Sequence, residues 1–458
     1  MGIIDLIAFP FYVLLFHWLF GYVRKSYNDP LLVKYHKQGY WIKVGATIAF
    51  TVFNAYLSPG DSVGLYFNEG AHIYHRIMGN PYEYRLLLIK GSDFDQSTLM
   101  DPWNAGYFKG ESNYLTTKLV ALASFVSMGK YMVTNLLFAL LAYTGTWKLF
   151  MFFYEQYPHL HKRFAIAILY FPTFVFWTSG ILKDSLCIAS LGWITYALYE
   201  LFYRKKGLIK NSLILLIFGY LLVVLKVYIL ISYVPFFMLF IIMKNMQNVK
   251  NNAIKFILAP TLIIGSLVGF TKVLNSFGDE LGQFAVKDLT KNIKGYNQKW
   301  EQQSGFDKVG SNFSLGVQFD GSLSGLVKLT PFAIGTTIFR PFLWESRKPS
   351  TMLSSLESLA LMLFTFFVLF KVGLFNFMRS VTEDPLVMYC LLFSLVFALF
   401  VGASTQNFGS LVRYKIPCLP FYMIAMFMIY EKHLVSQKSK VVVPVEVNIQ
   451  PELSLAPA

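Results

Sequence analysis

Long apolar runs recur from one end of this 458-residue chain to the other, and they dictate what it can fold into. A helix needs about 20 mostly apolar residues to cross a bilayer. The runs 3–23, 41–58, 131–153, 164–180, 184–203, 256–276, 352–373, 386–404 and 416–430 meet or approach that length. The run 211–243 is too long for one crossing and is interrupted by Lys226, so it reads as two short helices joined at that lysine. In hydrocarbon every backbone polar group must find its partner within the protein, which leaves helices as the spanning element. The expected fold is therefore all-α, a polytopic transmembrane bundle of about eleven spans. Composition agrees: 55% of residues are hydrophobic and 14% charged, against roughly 25% charged in soluble domains. Soluble enzymes, disordered chains and disulfide scaffolds are excluded. The N-terminal run lacks a basic leader and a small-residue cleavage site, so it reads as a retained helix.

Short basic loops orient such a bundle, with Lys and Arg on the cytoplasmic side. Eleven spans bring five groups to one face: Arg24 to Lys43, Lys162 with Arg163, Arg204 to Lys210, Lys244 to Lys255, and Arg379 with the tail after Lys432. That face is expected to be the cytoplasm, with the N-terminus outside and the C-terminus inside. Two long segments, 59–130 and 277–351, then lie outside, and both are expected to contain interfacial helices. Residues 1–433 read as a single transmembrane catalytic domain and 434–458 as a flexible cytoplasmic tail. The formal charge of +15 is spread between apolar segments rather than gathered in one basic domain. It suits anionic headgroups or a phosphate-bearing lipid, not nucleic acid. Cys187, Cys390 and Cys418 lie in apolar runs without metal-ligand spacing and read as small buried hydrophobes. No internal repeat is visible, which weighs against a transporter built from inverted repeats.

Ionisable residues within or at the rim of spans are costly and point to function. Four clusters stand out, all on the expected outer face. Asp61 follows Pro59 and Gly60, which end the second span; it is either a general base for an acceptor hydroxyl or a helix N-cap. Beyond it, Glu69, His72 and Arg76 share one face of an expected interface-hugging helix. His72 and His75 read as a solvated face rather than a metal pair. Lys183 and Asp184 sit in a connection of a few residues between two spans. Their functional reading is a lysine on a lipid phosphate and an aspartate on a sugar hydroxyl, a lysine or a metal; the plain alternative is an N-cap beside a snorkelling lysine. Lys226 either binds a headgroup or merely marks a hairpin tip. Arg340 and Arg413 carry planar forks that match phosphate oxygens, and Glu357 is an expected partner for Arg340. No cofactor is expected; a divalent metal is left open rather than predicted. No P-loop, H-E-x-x-H or G-x-S-x-G motif is present.

The stretch Pro59-Gly60-Asp61 with Tyr66, the hairpin Pro172–Tyr203 with Ser179, Asp184 and Leu186, Val224-Leu225-Lys226, and Arg413-Tyr414 with Pro417 and Pro420 together resemble the C-type-fold glycosyltransferases. The chain is also similar to bacterial surface-polysaccharide polymerases in span number and outer arginines. The resemblance implies a membrane enzyme, placed in a bacterial inner (plasma) membrane. It would transfer a sugar from a polyprenyl-phosphate-linked donor to a glycan, lipid or protein acceptor at the outer face. It makes Asp61 the catalytic acidic residue, and Lys183, Asp184, Lys226, Arg340 and Arg413 the residues that hold donor or lipid phosphate. The chain departs from that pattern in an extra leading span and in Ser62 where a second acid would assist a metal. The alternatives are an O-antigen or exopolysaccharide polymerase or ligase acting on undecaprenyl-diphosphate-linked glycans, a lipid-linked glycan flippase, and a structural scaffold.

Overall fold

A computed structural model describes residues 3–58, 60–93, 95–246, 312–316, 323–346 and 349–441. The chain opens with α1 (Ile3–Lys25) and α2 (Pro30–Val52), followed by the connecting segment with α3 (Asn68–Gly79) and α4 (Glu111–Ser127). Then come α5 (Tyr131–Gln156), α6 (Lys183–Tyr199) and α7 (Leu208–Met246). The last group is α8 (Leu323–Phe339), α9 (Pro349–Val372), α10 (Pro385–Ser404), α11 (Phe408–Tyr414) and α12 (Leu419–Val441). The described residues form helices and short turns; their one β-type pairing is an isolated bridge, Asn312 to Asn407.

Among the described residues six helices are long and apolar enough to cross a membrane, or seven if α11 and α12, bent by 61°, form one span. This is the composition of an all-α, multi-pass membrane bundle. Several boundaries differ from the sequence reading. The expected span 256–276 lies outside the described residues, as does most of the second long segment. The run 164–180 is not one helix: it breaks into His161–Phe164, a wider turn Ala165–Leu169, and Pro172–Trp177, because Pro172 has no N–H to continue the ladder. The expected second span belongs to the longer α2, which starts where Asp29 accepts from the Leu31 amide at 2.8 Å. Lys43, read as a loop cation, is buried in α2 and donates to the carbonyl of Thr178 at 2.9 Å. Helix α12 continues to Val441, past the expected start of the tail at 434; residues 442–458 lie outside the described part.

Helix α7 carries the sharpest irregularity. Lys226 has non-helical φ −154° and ψ 73°, and the two halves run in opposite directions along α6. Before the break, Phe218 stacks on Trp193; at the break, Lys226 reaches Asp184. After it, Tyr233 meets Thr195 and Lys244 lies over Tyr199. The long apolar run is thus folded back at its lysine.

Close backbone approach sets the α5–α6 crossing. A Cβ on Gly192 would lie 1.8 Å from the Gly145 carbonyl oxygen, and one on Gly145 would lie 2.2 Å from that of Ala189. Small residues are the usual route to helix contact where lipid supplies no hydrophobic drive between helices. The aromatic content fills the space around this crossing: Phe152, Tyr233, Phe237, Tyr389 and Phe421 are all buried and in mutual ring contact. The segment between α2 and α5 has its own small core of Ile73, Leu86, Leu99, Phe108, Tyr114 and Ala121. Helix α3 packs into that segment through its buried Glu69, Gly70 and Ile73. Its Glu69 accepts from the Met100 amide at 3.0 Å, and Arg76 donates to the Thr98 carbonyl at 2.9 Å.

Candidate functional site

At one end of the bundle the first turn of α6, the break in α7, the ends of α10 and α11, and the segment after α2 enclose a cavity of about 400 Å³. Asp61, Lys183, Lys226 and Arg413 line it, and Asp184 lies just behind, 3% exposed. Four elements distant in sequence deliver these charges, so only the tertiary fold brings them together.

Asp184 is the hub. Its Oδ1 accepts from Lys226 Nζ at 2.5 Å and its Oδ2 from Arg413 Nε at 3.2 Å. A buried carboxylate is tolerated when it is paired and hydrogen-bonded, and the two cations satisfy both oxygens. Leu182, not Asp184, occupies the N-cap of α6, so the capping explanation for this aspartate does not hold. Its position in the first turn still favours a negative charge through the helix dipole.

Asp61 is more open, with 42% of its side chain exposed. It precedes the turn Ser62–Phe67 in helical conformation and makes no side-chain cap, so the N-cap explanation fails here too. Its Oδ2 meets Arg413 Nη1 at 3.5 Å. Arg413 therefore bridges the two carboxylates while its guanidinium lies 5.7 Å from the Trp177 ring centroid. Lys226, in turn, sits 4.5 Å from the centroid of Tyr414, a favourable placement for an ammonium. Lys183 projects into the cavity and donates to Ser112 Oγ at 2.8 Å; no carboxylate lies within ion-pair distance of it among the described residues.

Further polar groups complete the wall, and of these the sequence singled out Tyr66 alone. Tyr107 donates its hydroxyl to Tyr66 at 2.7 Å, and Tyr66 donates to Asn113 Oδ1 at 3.2 Å. Burial first, and then the neighbouring phenol, pushes the Tyr66 hydroxyl far above its usual range; burial does the same for Tyr107, with Asp61 adding to it. Both stay protonated and act as donors. Tyr107 comes from the short turn Ala105–Phe108 and Ser112 and Asn113 from the first turn of α4, and no motif marks them.

Arg340 lies apart. Glu345, five residues on, accepts from its Nε at 3.1 Å through both oxygens, and its guanidinium stacks over Phe313 at 4.5 Å. It does not line the cavity. Glu357 does not pair with it either: that carboxylate accepts from the Thr173 amide at 2.7 Å and from the Thr173 hydroxyl. Among the described residues no group of three His, Cys, Asp or Glu side chains could hold a metal ion.

Chemically, the cavity combines a half-open carboxylate, three cations with one buried carboxylate between two of them, and hydroxyl donors. Such a wall receives an anion and can take a proton beside it. No protein-family model matches the chain, and no curated protein or solved structure matches it.

Proposed function

We propose that this protein is a membrane glycosyltransferase that moves a sugar from a polyprenyl-phosphate-linked donor to a hydroxyl of a glycan, lipid or protein acceptor. The observation that carries the reading is the convergence of Asp61, Lys183, Asp184, Lys226 and Arg413 on one cavity at one end of an apolar bundle. In the reaction the acceptor oxygen attacks the anomeric carbon, the bond from that carbon to the phosphate oxygen breaks, and the acceptor proton goes to Asp61. The phosphate leaves with its lipid. The half-exposed Asp61 suits the proton-accepting role, and Lys183 and Arg413 suit the charge that grows on the leaving phosphate. Asp184 keeps Arg413 and Lys226 in position without competing for substrate, since both its oxygens are engaged. Arg340, paired with Glu345, is left out of the donor site in this reading.

Sidedness supports an outward-facing cavity. At the opposite end of the bundle lie Arg163, paired with Glu431 at 2.5 Å, Arg204, paired with Glu155 at 3.0 Å, and Lys432, paired with Asp384 at 3.1 Å. Basic residues mark the cytoplasmic end of short-looped bundles, and the cavity then opens at the outer face of a bacterial plasma membrane.

The decisive experiment identifies the lipid-linked glycan that accumulates when the protein is removed and then assays transfer with purified wild-type and D61N protein. The D61N variant is expected to insert normally and to lose transfer by roughly 10²–10⁴-fold. Full transfer by D61N ends the base assignment, and accumulation of no lipid-linked sugar ends the reading. A ladder of products in place of a single addition identifies a polymerase, and movement of the lipid without bond cleavage identifies a flippase.

A further inference from the structure

Lys415 is buried, 2% exposed, two residues beyond Arg413 and in the break between α11 and α12. Its Nζ donates to the Arg340 carbonyl at 2.9 Å and to Ser358 Oγ at 2.8 Å, and no carboxylate lies within ion-pair distance among the described residues. An ammonium buried with two neutral acceptors is costly, and an apolar side chain of similar volume is the more stable choice for packing alone. Yet this lysine stands where geometry matters most. The short helix α11 is fixed at its start by Asn407, whose side chain accepts from the Ser410 amide at 3.2 Å. Its far end is followed by Pro417, which cannot donate to the backbone ladder. Lys415 ties that end to the terminus of α8 through Arg340 and to α9 through Ser358.

We propose that Lys415 is a positioning residue for the cavity: its ammonium clamps the 61° break so that α11 delivers the Arg413 guanidinium between Asp61 and Asp184. The proposal rests on the glycosyl-transfer reading only for what Arg413 then binds. It also gives the Arg340 stretch a role, since its backbone oxygen serves as the anchor while its side chain is held by Glu345.

The test uses the full chain in lipid nanodiscs with arginine labelled in 15N. The Arg413 Nε–H, hydrogen-bonded to Asp184, is identified by its loss in R413K. In K415M the protein is expected to keep its melting temperature while this resonance shifts or broadens, and K415R is expected to restore it. Binding of undecaprenyl phosphate should weaken roughly tenfold in K415M, with no further loss when K415M is added to R413A, because the lysine acts through the arginine. An unmoved resonance in K415M, or additive losses in the double variant, overturns the proposal. If K415M does not fold, S358A removes one of the two anchors and is read in the same way. Absence of undecaprenyl phosphate binding by the wild type counts against the transferase reading, while the ligand-free resonance still decides the role of Lys415.

Discussion

The two ends of the bundle handle charge in opposite ways. At the end away from the cavity, pairing is largely one to one: Arg163 with Glu431, Lys432 with Asp384, and Arg379 with Glu383 at 2.7 Å, where both side chains of the last pair are more than half exposed. At the cavity end one buried carboxylate serves two cations, a third cation has no carboxylate partner among the described residues, and the second carboxylate is held only by a long contact. The first pattern anchors helix ends with one acid to each of these cations. The second leaves positive charge and one free-standing base, which is what a site for an anionic ligand needs. Counting charges along the chain does not separate the two; who shares a partner with whom does.

The difference can be broken or sharpened at four places, taken from the largest expected effect. Replacing Asp184 with Asn strands Lys226 and Arg413 beside a neutral amide, and loss of a partner from a buried ion pair costs about 3–5 kcal/mol. A large fall in melting temperature in detergent is expected; an unchanged value contradicts the hub assignment. Next comes Glu69 in the segment above the cavity, whose burial pushes its carboxyl up to about 7 despite the Met100 amide and Arg76. The folded form binds its proton more tightly than the unfolded form, so that segment is most stable at low pH and weakens as pH rises from about 4.5 through about 7. Protection factors of the α3 and α4 amides, taken against the intrinsic exchange rate at each pH, should fall across that window, and E69Q should flatten the dependence. Third, E155Q at the opposite end removes one partner of Arg204 but leaves Glu200 at 2.9 Å, so about 1 kcal/mol or less is expected from chemical denaturation. Smallest is E383Q, an exposed i,i+4 pair, where no measurable change in melting temperature is expected. A large loss there makes the two ends alike.

Much of this organisation was legible because it is written in local rules. Apolar length marks the helices, and the break at Lys226 was visible as a lysine inside a run too long for one crossing. The suspicion that buried charge carries function selected Asp61, Lys183, Asp184, Lys226 and Arg413, and these five do meet. The same rule also selected Arg340, whose own Glu345 lies five residues away and satisfies it. A rule that sees cost but not compensation cannot tell these cases apart. Lys43 misled in the other direction: counted among loop cations, it is an internal donor to the Val175 and Thr178 carbonyls. Tyr107, Ser112 and Asn113 left no trace because a short turn and the first turn of α4 carry no motif, and their place depends on the small core built around Phe108 and Tyr114.

The fold-back at Lys226 has a consequence for biogenesis. A lysine at the tip of an apolar hairpin costs roughly 2.5–3.5 kcal/mol in hydrocarbon while it is unpaired. The counter-ion, Asp184, lies 42 residues upstream and emerges from the ribosome first. The preceding helix thus carries the counter-ion before the hairpin is made, and the aspartate that organises the finished cavity is already present to pair the tip lysine when the two elements pack.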